Sequence, residues 1–284
     1  MRRIWAYSAL IRIPNSLMAA AAVAVGWYLS SAAEGMRLNP FTMAAAFFVC
    51  GFGNIVNDIR DLAIDRIIHP RRALPSGVVS VDRARTLAFV FLIVILILLL
   101  WMNAAERIIV IVAVPLVVVY DLRLKHTVFW GNLLVSFLGA LTFLLGGARG
   151  GFAGAFAMPG PLVPAIFAVL MHFGREIIKD IQDRTGDYSA GSTTGPVRMG
   201  TVIPMLLGDS VLAVLCLFSL GVYLAGWFDL LYLIIVVAAV CLPLIVLMIW
   251  LGLRPSARRC RTASSLIKSQ MLIGMAALVI GKNY

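Results

Sequence analysis

Long apolar stretches dominate this sequence and place the strongest limit on its fold. A helix needs about 20 residues to cross the roughly 30 Å hydrocarbon core of a bilayer. Stretches close to that length recur along the 284 residues, at 14–33, 40–57, 84–102, 106–121, 127–147, 161–178, 201–225, 230–252 and 264–281. The sequence therefore predicts an all-α integral membrane protein with nine transmembrane helices.

The composition excludes an ordinary soluble domain. Hydrophobic residues make up 62% of the chain and charged residues only 13%, too few to cover a water-exposed surface. The four cysteines lie far apart without CxxC spacing, which argues against a disulfide framework or a zinc site. The first apolar stretch follows basic residues, as in a signal peptide, but it is too long for one, so we interpret it as a retained helix.

The basic residues predict an orientation in the membrane. If the N-terminus and every second loop lie on one side, that side holds all but four of the 24 Lys and Arg residues. The four exceptions are Arg37, Arg107, Arg149 and Lys282. By the positive-inside rule the N-terminus and the basic loops are cytoplasmic and the C-terminus is outside. The net charge of +11 then reflects topology and contact with anionic lipid or phosphate, and nucleic acid is not needed to explain it.

Two acidic motifs share one spacing. The first follows the second apolar stretch and the second follows the sixth; they consist of Asp58, Asp61 and Asp65, and of Asp180, Asp183 and Asp187. The second motif follows the first by 122 positions (58 to 180), and a polar residue precedes each by one turn, Asn54 and Glu176. On a helix these positions share one stripe. The repeat predicts one domain over 1–284, with two related halves (about 1–125 and 126–284) around a central cavity.

The two motifs also indicate a metal site. A single acidic segment is as readily a solvated helix end, but two copies after apolar helices are harder to explain in that way. Like charges one turn apart repel, and acids at membrane depth are costly and usually functional. A divalent cation removes both problems. Carboxylate oxygens without His or Cys favour Mg²⁺, which takes one or two carboxylates and completes its shell with water and phosphate oxygens. The motifs thus predict Mg²⁺ held against a diphosphate.

These motifs resemble the signatures of the UbiA superfamily of intramembrane prenyltransferases, NDxxDxxxD and a second Asp-rich motif with DxxD. The resemblance covers nearly the whole chain. It implies that both motifs bind Mg²⁺ and the diphosphate of an isoprenoid donor. Further segments are similar to the branch that makes archaeal-type lipids, the digeranylgeranylglyceryl phosphate synthases; they are 12–18, 120–125 with 131–132, 143–147, 175–180 and 196–200. The first loop departs from the family pattern, with His69 in place of Asn and Ala73 in place of Pro, so no role is transferred to His69.

The resemblance implies the following site residues. All six motif aspartates are candidate metal ligands, and four of them are the candidate catalytic residues: Asp58, Asp61, Asp183 and Asp187. The candidate substrate-binding residues are Asn15, Asn54, Arg72, Tyr120, Lys125, Lys179 and Arg198. Basic side chains at a cytoplasmic face are often topological anchors, and Asn15 and Asn54 also suit helix–helix contacts. A lipid acceptor with its own phosphate would need further cations, and Lys125 is the first candidate.

The expected function is Mg²⁺-dependent transfer of a geranylgeranyl group from geranylgeranyl diphosphate to the hydroxyl of geranylgeranylglyceryl phosphate, which forms an ether. The expected partners are the isoprenyl diphosphate donor, a lipid-like acceptor and membrane lipid, with no obligate protein partner. Two alternatives stay open. One is an aromatic prenyltransferase acting on a 4-hydroxybenzoate-type acceptor, and the other is a Mg²⁺-coupled or anion transporter. The sequence leaves donor chain length, the general base and the oligomeric state undetermined.

Overall fold

The computed structural model describes residues 2–33, 35–189, 191–253 and 255–284. Arg254, one of the basic residues assigned above to the cytoplasmic side, lies outside the described residues. The described part of the chain is helical and contains no β-strand beyond an isolated bridge between Phe228 and Lys282. The prediction of an all-α fold is confirmed.

Fourteen α-helices make up the described chain. They are α1 (Arg2–Ile11), α2 (Ile13–Leu29), α3 (Pro40–Arg60), α4 (Leu62–Ile68), α5 (Val81–Leu98), α6 (Ala104–Val119), α7 (Trp130–Gly147), α8 (Gly151–Ala155), α9 (Leu162–Ser189), α10 (Gly195–Met199), α11 (Val202–Leu224), α12 (Leu230–Val236), α13 (Leu242–Leu253) and α14 (Ala257–Ile280). Two π-helical turns interrupt the pattern, Tyr120–Leu124 after α6 and Val237–Cys241 between α12 and α13.

Six of the described segments are long and apolar enough to cross a membrane, and the multi-pass character of the protein follows from them. They are Pro40–Arg60, Val81–Trp101, Trp130–Ala155, Val202–Leu224, Leu230–Leu253 and Ala257–Ile280. A seventh is possible if Ile4–Ile11 and Ile13–Leu29, which are bent by 48°, form one span. The predicted spans at 106–121 and 161–178 fall on α6 and α9. Helix α6 is only 16 residues long, and α9 carries charged residues in its second half.

Arg12 separates α1 from α2 with a left-handed backbone conformation. Its φ of 53° is positive, which side chains with a Cβ rarely adopt. Helix α2 starts directly afterwards with Pro14 in its first turn, where the missing amide hydrogen of proline costs no helical hydrogen bond. The bend therefore has a definite location in the chain, one residue before α2.

Local side-chain chemistry starts other helices. Asn103 accepts a hydrogen bond from the Glu106 amide at 2.9 Å, and Glu106 accepts one from the Asn103 amide at 2.8 Å. This reciprocal capping box satisfies two amides at the start of α6. Ser80 and Asp229 accept amide hydrogen bonds in the same way at the starts of α5 and α12.

The helices form two compact units. Unit 1 consists of Met1–Arg123 and Leu141–Ala157, and unit 2 consists of Leu124–Ala140 and Met158–Tyr284. In unit 1, α3 packs against α2 and α5. Helix α2 and the second half of α7 pack closely at Gly146. A Cβ atom at this position would overlap the Val23 carbonyl oxygen, so the close packing requires glycine. In unit 2, α9 packs against α11 and α14. The centre of unit 2 contains fully buried aliphatic side chains, including Ile177, Leu212, Leu244 and Ile267.

Candidate functional site

The first acidic motif lies where α3 gives way to α4. Asp58 is in the last turn of α3, Asp61 lies between the two helices, and Asp65 is in α4. The sequence predicted one helical stripe here, and the structure divides it between two helices, since α3 ends at Arg60 and α4 begins at Leu62. The backbone nevertheless keeps helical hydrogen bonds across the junction, from Asp61 N to Asn57 O and from Asp65 N to Asp61 O. The three side chains therefore still project at helical spacing from two consecutive helices.

Two arginines hold the buried acids of this motif. Asp58 is only 7% exposed, and Arg12 Nη2 donates to its Oδ1 at 2.8 Å. Asp65 is 4% exposed, and Arg72 Nη1 donates to both of its oxygens at 2.7 and 2.9 Å. Asn54, one turn before Asp58, donates to the Ile11 carbonyl oxygen at 3.1 Å. Buried carboxylates are tolerated when they are paired and hydrogen-bonded in this way.

Asn57 connects the first motif to another buried acid. Its Nδ2 donates to Asp121 Oδ1 at 2.7 Å, and Asp121 is 5% exposed in the π-helical turn after α6. Tyr120 precedes Asp121 in this turn, half-buried. Helix α6 thus ends against the first motif, and unit 1 contains both the motif and this turn.

The second acidic motif lies on one uninterrupted helix. Asp180, Asp183 and Asp187 all belong to the last third of α9, in unit 2, so here the predicted helical stripe is confirmed. Charged residues just before Asp180 on the same helix pair with each other. Glu176, 7% exposed, contacts Arg175 and also the Lys179 ammonium at 3.3 Å. Lys179, a predicted substrate-binding residue, is therefore ion-paired within its own helix.

Neutral hydrogen-bond donors hold two acids of the second motif. Asn132 Nδ2 donates to Asp180 Oδ2 at 2.8 Å, and Thr194 Oγ1 donates to Asp187 Oδ2 at 3.1 Å. Burial raises the pKa of the Asp187 carboxyl, and the hydrogen bond from Thr194 opposes that shift. The contrast between the motifs is clear. Arginines pair with Asp58 and Asp65 of the first motif, whereas Asp180 and Asp187 of the second accept hydrogen bonds from uncharged side chains.

The remaining predicted substrate-binding residues are spread over both units. Asn15 lies in the first turns of α2, and Arg72 lies in the segment after α4 with its side chain 39% exposed. Lys125, half-buried, follows the π-helical turn at the start of unit 2. Arg198 is exposed in the short helix α10. Each unit thus presents one acidic motif together with predicted basic residues.

The family model described as the UbiA prenyltransferase family matches residues 15–271 of this chain. The chain belongs to this family. It is accordingly a prenyltransferase and not a transporter.

Several relatives that match nearly the full length of this prenyltransferase are digeranylgeranylglyceryl phosphate synthases. It is 32% identical over 283 residues to digeranylgeranylglyceryl phosphate synthase of Methanobrevibacter smithii, with 97% of each chain covered. It is 30% identical over 283 residues to the synthase of the same name from Methanocaldococcus jannaschii, covering 99% of this chain and 97% of that one.

Solved structures share its fold. A structure of digeranylgeranylglyceryl phosphate synthase in membranes is 28% identical, with a TM-score of 0.75 and 99% of both chains covered. A UbiA homologue from Aeropyrum pernix is 19% identical, with a TM-score of 0.76, covering 94% of this chain and 98% of that one. A homologue from Archaeoglobus fulgidus, solved with DMAPP and Mg²⁺, is 17% identical, with a TM-score of 0.66, covering 96% of this chain and 98% of that one.

The two motifs suit a Mg²⁺ ion that completes its coordination with ligands from outside the protein. Among the described residues, no three or more His, Cys, Asp or Glu side chains are grouped closely enough to hold a metal ion by themselves. Each motif offers carboxylate oxygens only. Mg²⁺ requires just one or two carboxylates if water and phosphate oxygens complete its shell. The residues of this prenyltransferase therefore fit a metal that is bound together with a diphosphate.

Four residues that contact the motifs were not among the predicted site residues: Arg12, Asp121, Asn132 and Thr194. Three of them lie in segments that carried the family resemblance, 12–18, 120–125 and 131–132. The sequence therefore marked these segments as family-like, but it did not show which side chains they contact. Arg12 and Asp58 are 46 positions apart, and Asn132 and Asp180 are 48 apart. Only the fold shows which residues these side chains contact.

Proposed function

We propose that this prenyltransferase transfers a geranylgeranyl group from geranylgeranyl diphosphate to the hydroxyl of geranylgeranylglyceryl phosphate. The observation that carries the proposal is the likeness to digeranylgeranylglyceryl phosphate synthases at about 30% identity over nearly the whole of both chains. The solved synthase structure covers 99% of this chain at 28% identity and supports the same assignment. Both acidic motifs lie within the matched residues.

In the reaction, the allylic C–O bond of the donor breaks and diphosphate leaves. The acceptor hydroxyl oxygen forms the new C–O bond, and its proton passes to a base. Mg²⁺, when bound, supplies positive charge to the leaving diphosphate. The A. fulgidus homologue solved with DMAPP and Mg²⁺ supports a metal of this kind. The carboxylates of both motifs are the proposed ligands, with Asp58, Asp61, Asp183 and Asp187 essential for turnover.

Basic and aromatic side chains assist the same step. Arg72 uses Nη1 for Asp65, which leaves its other N–H groups for a phosphate oxygen. Lys179, paired with Glu176, keeps further donors in the same way. Arg198 is exposed in α10 and is the third proposed phosphate contact. The ring face of Tyr120 would stabilise positive charge that develops on the prenyl carbon, and the apolar surroundings exclude water from it.

The acceptor is tested directly with purified full-length protein. It is supplied with Mg²⁺, labelled geranylgeranyl diphosphate and either geranylgeranylglyceryl phosphate or 4-hydroxybenzoate. We expect the ether product with the first acceptor and no prenylated product with the second. Prenylation of 4-hydroxybenzoate with no ether product would replace this proposal by the aromatic alternative.

We also propose nine transmembrane helices, arranged as two related halves, with the N-terminus cytoplasmic and the C-terminus outside. The proposal adds α6, α9 and the α1–α2 pair to the six segments described above, and it is supported by the uneven distribution of Lys and Arg. A protease-cleavable tag at either terminus, probed in sealed right-side-out vesicles, tests it. We expect cleavage at the C-terminus and protection at the N-terminus; the reverse result, or cleavage at both termini, would contradict it.

A further inference from the structure

Unit 1 contains a pocket of about 1000 Å³ next to its acidic motif. One wall is a face of α1 that includes Trp5, Ala9 and Leu10, and the other is the segment 69–78 between α4 and α5. Arg12 and Asp58 complete the lining. The volume is at the upper end of the range usual for small-molecule sites.

The charges of this pocket favour an anion. Three arginines line it, Arg12, Arg71 and Arg72, and Asp58 is the only acid among its lining residues. Arg12 is paired with Asp58, and Arg72 is paired with Asp65. Arg71 is exposed and has no acidic partner among the described residues. The pocket therefore carries one guanidinium in excess, together with the unused N–H groups of the other two.

The excess positive charge of the pocket suits a phosphate monoester better than a diphosphate. A phosphate monoester carries a charge of about −1.5 to −2 near neutral pH, which one uncompensated guanidinium and further N–H donors can accommodate. A diphosphate carries more negative charge and needs a metal in addition. Because Arg12 already neutralises Asp58 at 2.8 Å, that carboxylate does not require a metal for the pocket to hold a monoester.

The wall formed by α1 is apolar. It consists of Trp5, Ala6, Ala9 and Leu10. Trp5 and the neighbouring Ile4 are largely exposed, at 74% and 72%. A ligand that fills this pocket has an anionic end at Arg71 and an apolar body along α1. In a membrane protein, a lipid with a phosphate headgroup has this chemistry.

Arg12 connects the pocket to the acidic motif. It lines the pocket and bonds to Asp58, and it holds a left-handed conformation at the bend between α1 and α2. Non-glycine residues in this conformation are uncommon and cluster at functional sites. The bend directs the Arg12 guanidinium to the boundary between pocket and motif.

We propose that this pocket binds the phosphate headgroup of a lipid monophosphate, with Arg71 as the contacting cation and Arg12 as the residue that positions Asp58 beside it. The lipid is the acceptor of the reaction, and that identification rests on the proposed function. The acceptor phosphate is thereby assigned to unit 1 and not to Lys125, the candidate from the sequence.

Binding without donor or metal tests the proposal. Purified full-length protein in detergent with excess EDTA is titrated with labelled geranylgeranylglyceryl phosphate, and then with geranylgeranylglycerol, which lacks the phosphate. We expect the phosphorylated lipid to bind at least about tenfold more tightly, as one charge-assisted phosphate contact provides. Equal binding of the two lipids overturns the proposal. Inorganic phosphate serves as competitor, and displacement by it as effective as displacement by unlabelled lipid shows a site for free phosphate and also overturns it.

Substitutions locate the contact. Arg71→Ala is expected to weaken binding of the phosphorylated lipid about tenfold, and Arg71→Lys should recover part of the loss. The matched control is Arg83→Ala, which removes an exposed arginine of unit 1 that does not line the pocket. Lys125→Ala should leave binding unchanged. Loss of binding in Lys125→Ala or Arg83→Ala with none in Arg71→Ala overturns the proposal.

Steady-state kinetics separate this proposal from the proposed function. Arg71→Ala should raise KM for the lipid acceptor and leave KM for the diphosphate donor unchanged, whereas Arg12→Ala should lower kcat as well. If the wild type forms the ether product and Arg71→Ala is unaffected, the pocket assignment fails and the function stands. If the wild type never uses the lipid acceptor, the proposed function fails irrespective of the pocket.

Discussion

Individual side chains determine how the two acidic motifs differ. In the first motif, arginines contact Asp58 and Asp65, so these two carboxylates are ion-paired before any ligand binds. In the second motif, the uncharged side chains of Asn132 and Thr194 donate hydrogen bonds to Asp180 and Asp187. The two motifs therefore hold their buried carboxylates by different means, ion pairs with arginine in the first and hydrogen bonds from uncharged donors in the second.

Removal of a single motif charge should stop catalysis while folding is preserved. Asp58→Asn and Asp183→Asn keep the size of the side chain and remove its charge. Each is expected to lower kcat by roughly a hundredfold or more, the magnitude typical for loss of one group that stabilises charge in a transition state. Product formation from labelled geranylgeranyl diphosphate measures the effect. Asp82→Asn, which alters an acid whose side chain is 90% exposed, is the matched control and should remain active. Near wild-type rates in either motif variant would contradict the two-motif model.

The pairing of Arg12 with Asp58 should appear as thermodynamic coupling. Arg12→Ala leaves a nearly buried carboxylate without its guanidinium, and Asp58→Ala leaves the guanidinium without its acid. The double variant should lose less in Tm than the two single variants combined, because both remove the same contact. The coupling is expected near the low end of the usual range, since the Arg12 side chain is 36% exposed. Thermal unfolding followed by tryptophan fluorescence measures it, and strictly additive shifts would show that the contact contributes nothing.

At the scale of helices, the sequence predicted where they lie better than how they begin and end. Every predicted apolar stretch overlaps an observed helix, because length and apolarity are local properties. The bend at Arg12 and the break at Asp61 were missed, since they depend on single backbone conformations that the apolar pattern does not encode. The contacts of Arg12 and Asn132 were missed for another reason: their partners are distant in the chain and become neighbours only through packing.

Close helix packing in unit 1 depends on glycine at a defined position. Gly146→Ala places a methyl group against the Val23 carbonyl oxygen, so α2 and α7 must separate, and overpacking of this kind typically costs about 1–3 kcal/mol. Gly221→Ala is the matched control, because its methyl group would meet no atom within 4 Å apart from the backbone of its own helix turn and its chain neighbours. The second substitution should be neutral or slightly stabilising, since alanine favours helix. Thermal unfolding distinguishes them, and equal Tm values for both variants would exclude the packing explanation.

For the whole molecule, the small number of charged residues accounts for its place in a membrane, and their positions account for the proposed metal site. Six described segments suit a bilayer, and few charged residues remain for any other surface. Six of its 13 acidic residues form the two motifs, which offer carboxylate oxygens as ligands. Because carboxylate oxygens are the ligands that Mg²⁺ prefers, activity of the whole protein is expected to depend on a hard divalent cation.

Activity of the intact protein should vanish with chelator. Excess EDTA is expected to abolish product formation, and Mg²⁺ should restore it, with Mn²⁺ as a possible substitute because it also prefers oxygen ligands. The measurement is initial rate against free Mg²⁺ concentration. Zn²⁺, which favours Cys and His ligands absent from the motifs, serves as a control and should not restore the rate. Full turnover in EDTA would remove the metal from the proposed mechanism.

The division of the chain into units has a consequence for its biosynthesis. Unit 1 takes Met1–Arg123 and then Leu141–Ala157, while Leu124–Ala140 belongs to unit 2. A ribosome that has added residue 123 has therefore not yet made Gly146, whose contact with α2 belongs to unit 1, nor the Ala148 and Arg149 carbonyls that accept hydrogen bonds from Asn103. The segments of unit 1 are complete only when residue 157 has been added. The segment 124–140 belongs to unit 2, and most of unit 2 is synthesised later still. A nascent chain released near residue 125 lacks the α7 contacts of unit 1, whereas one released after residue 157 contains every segment of unit 1.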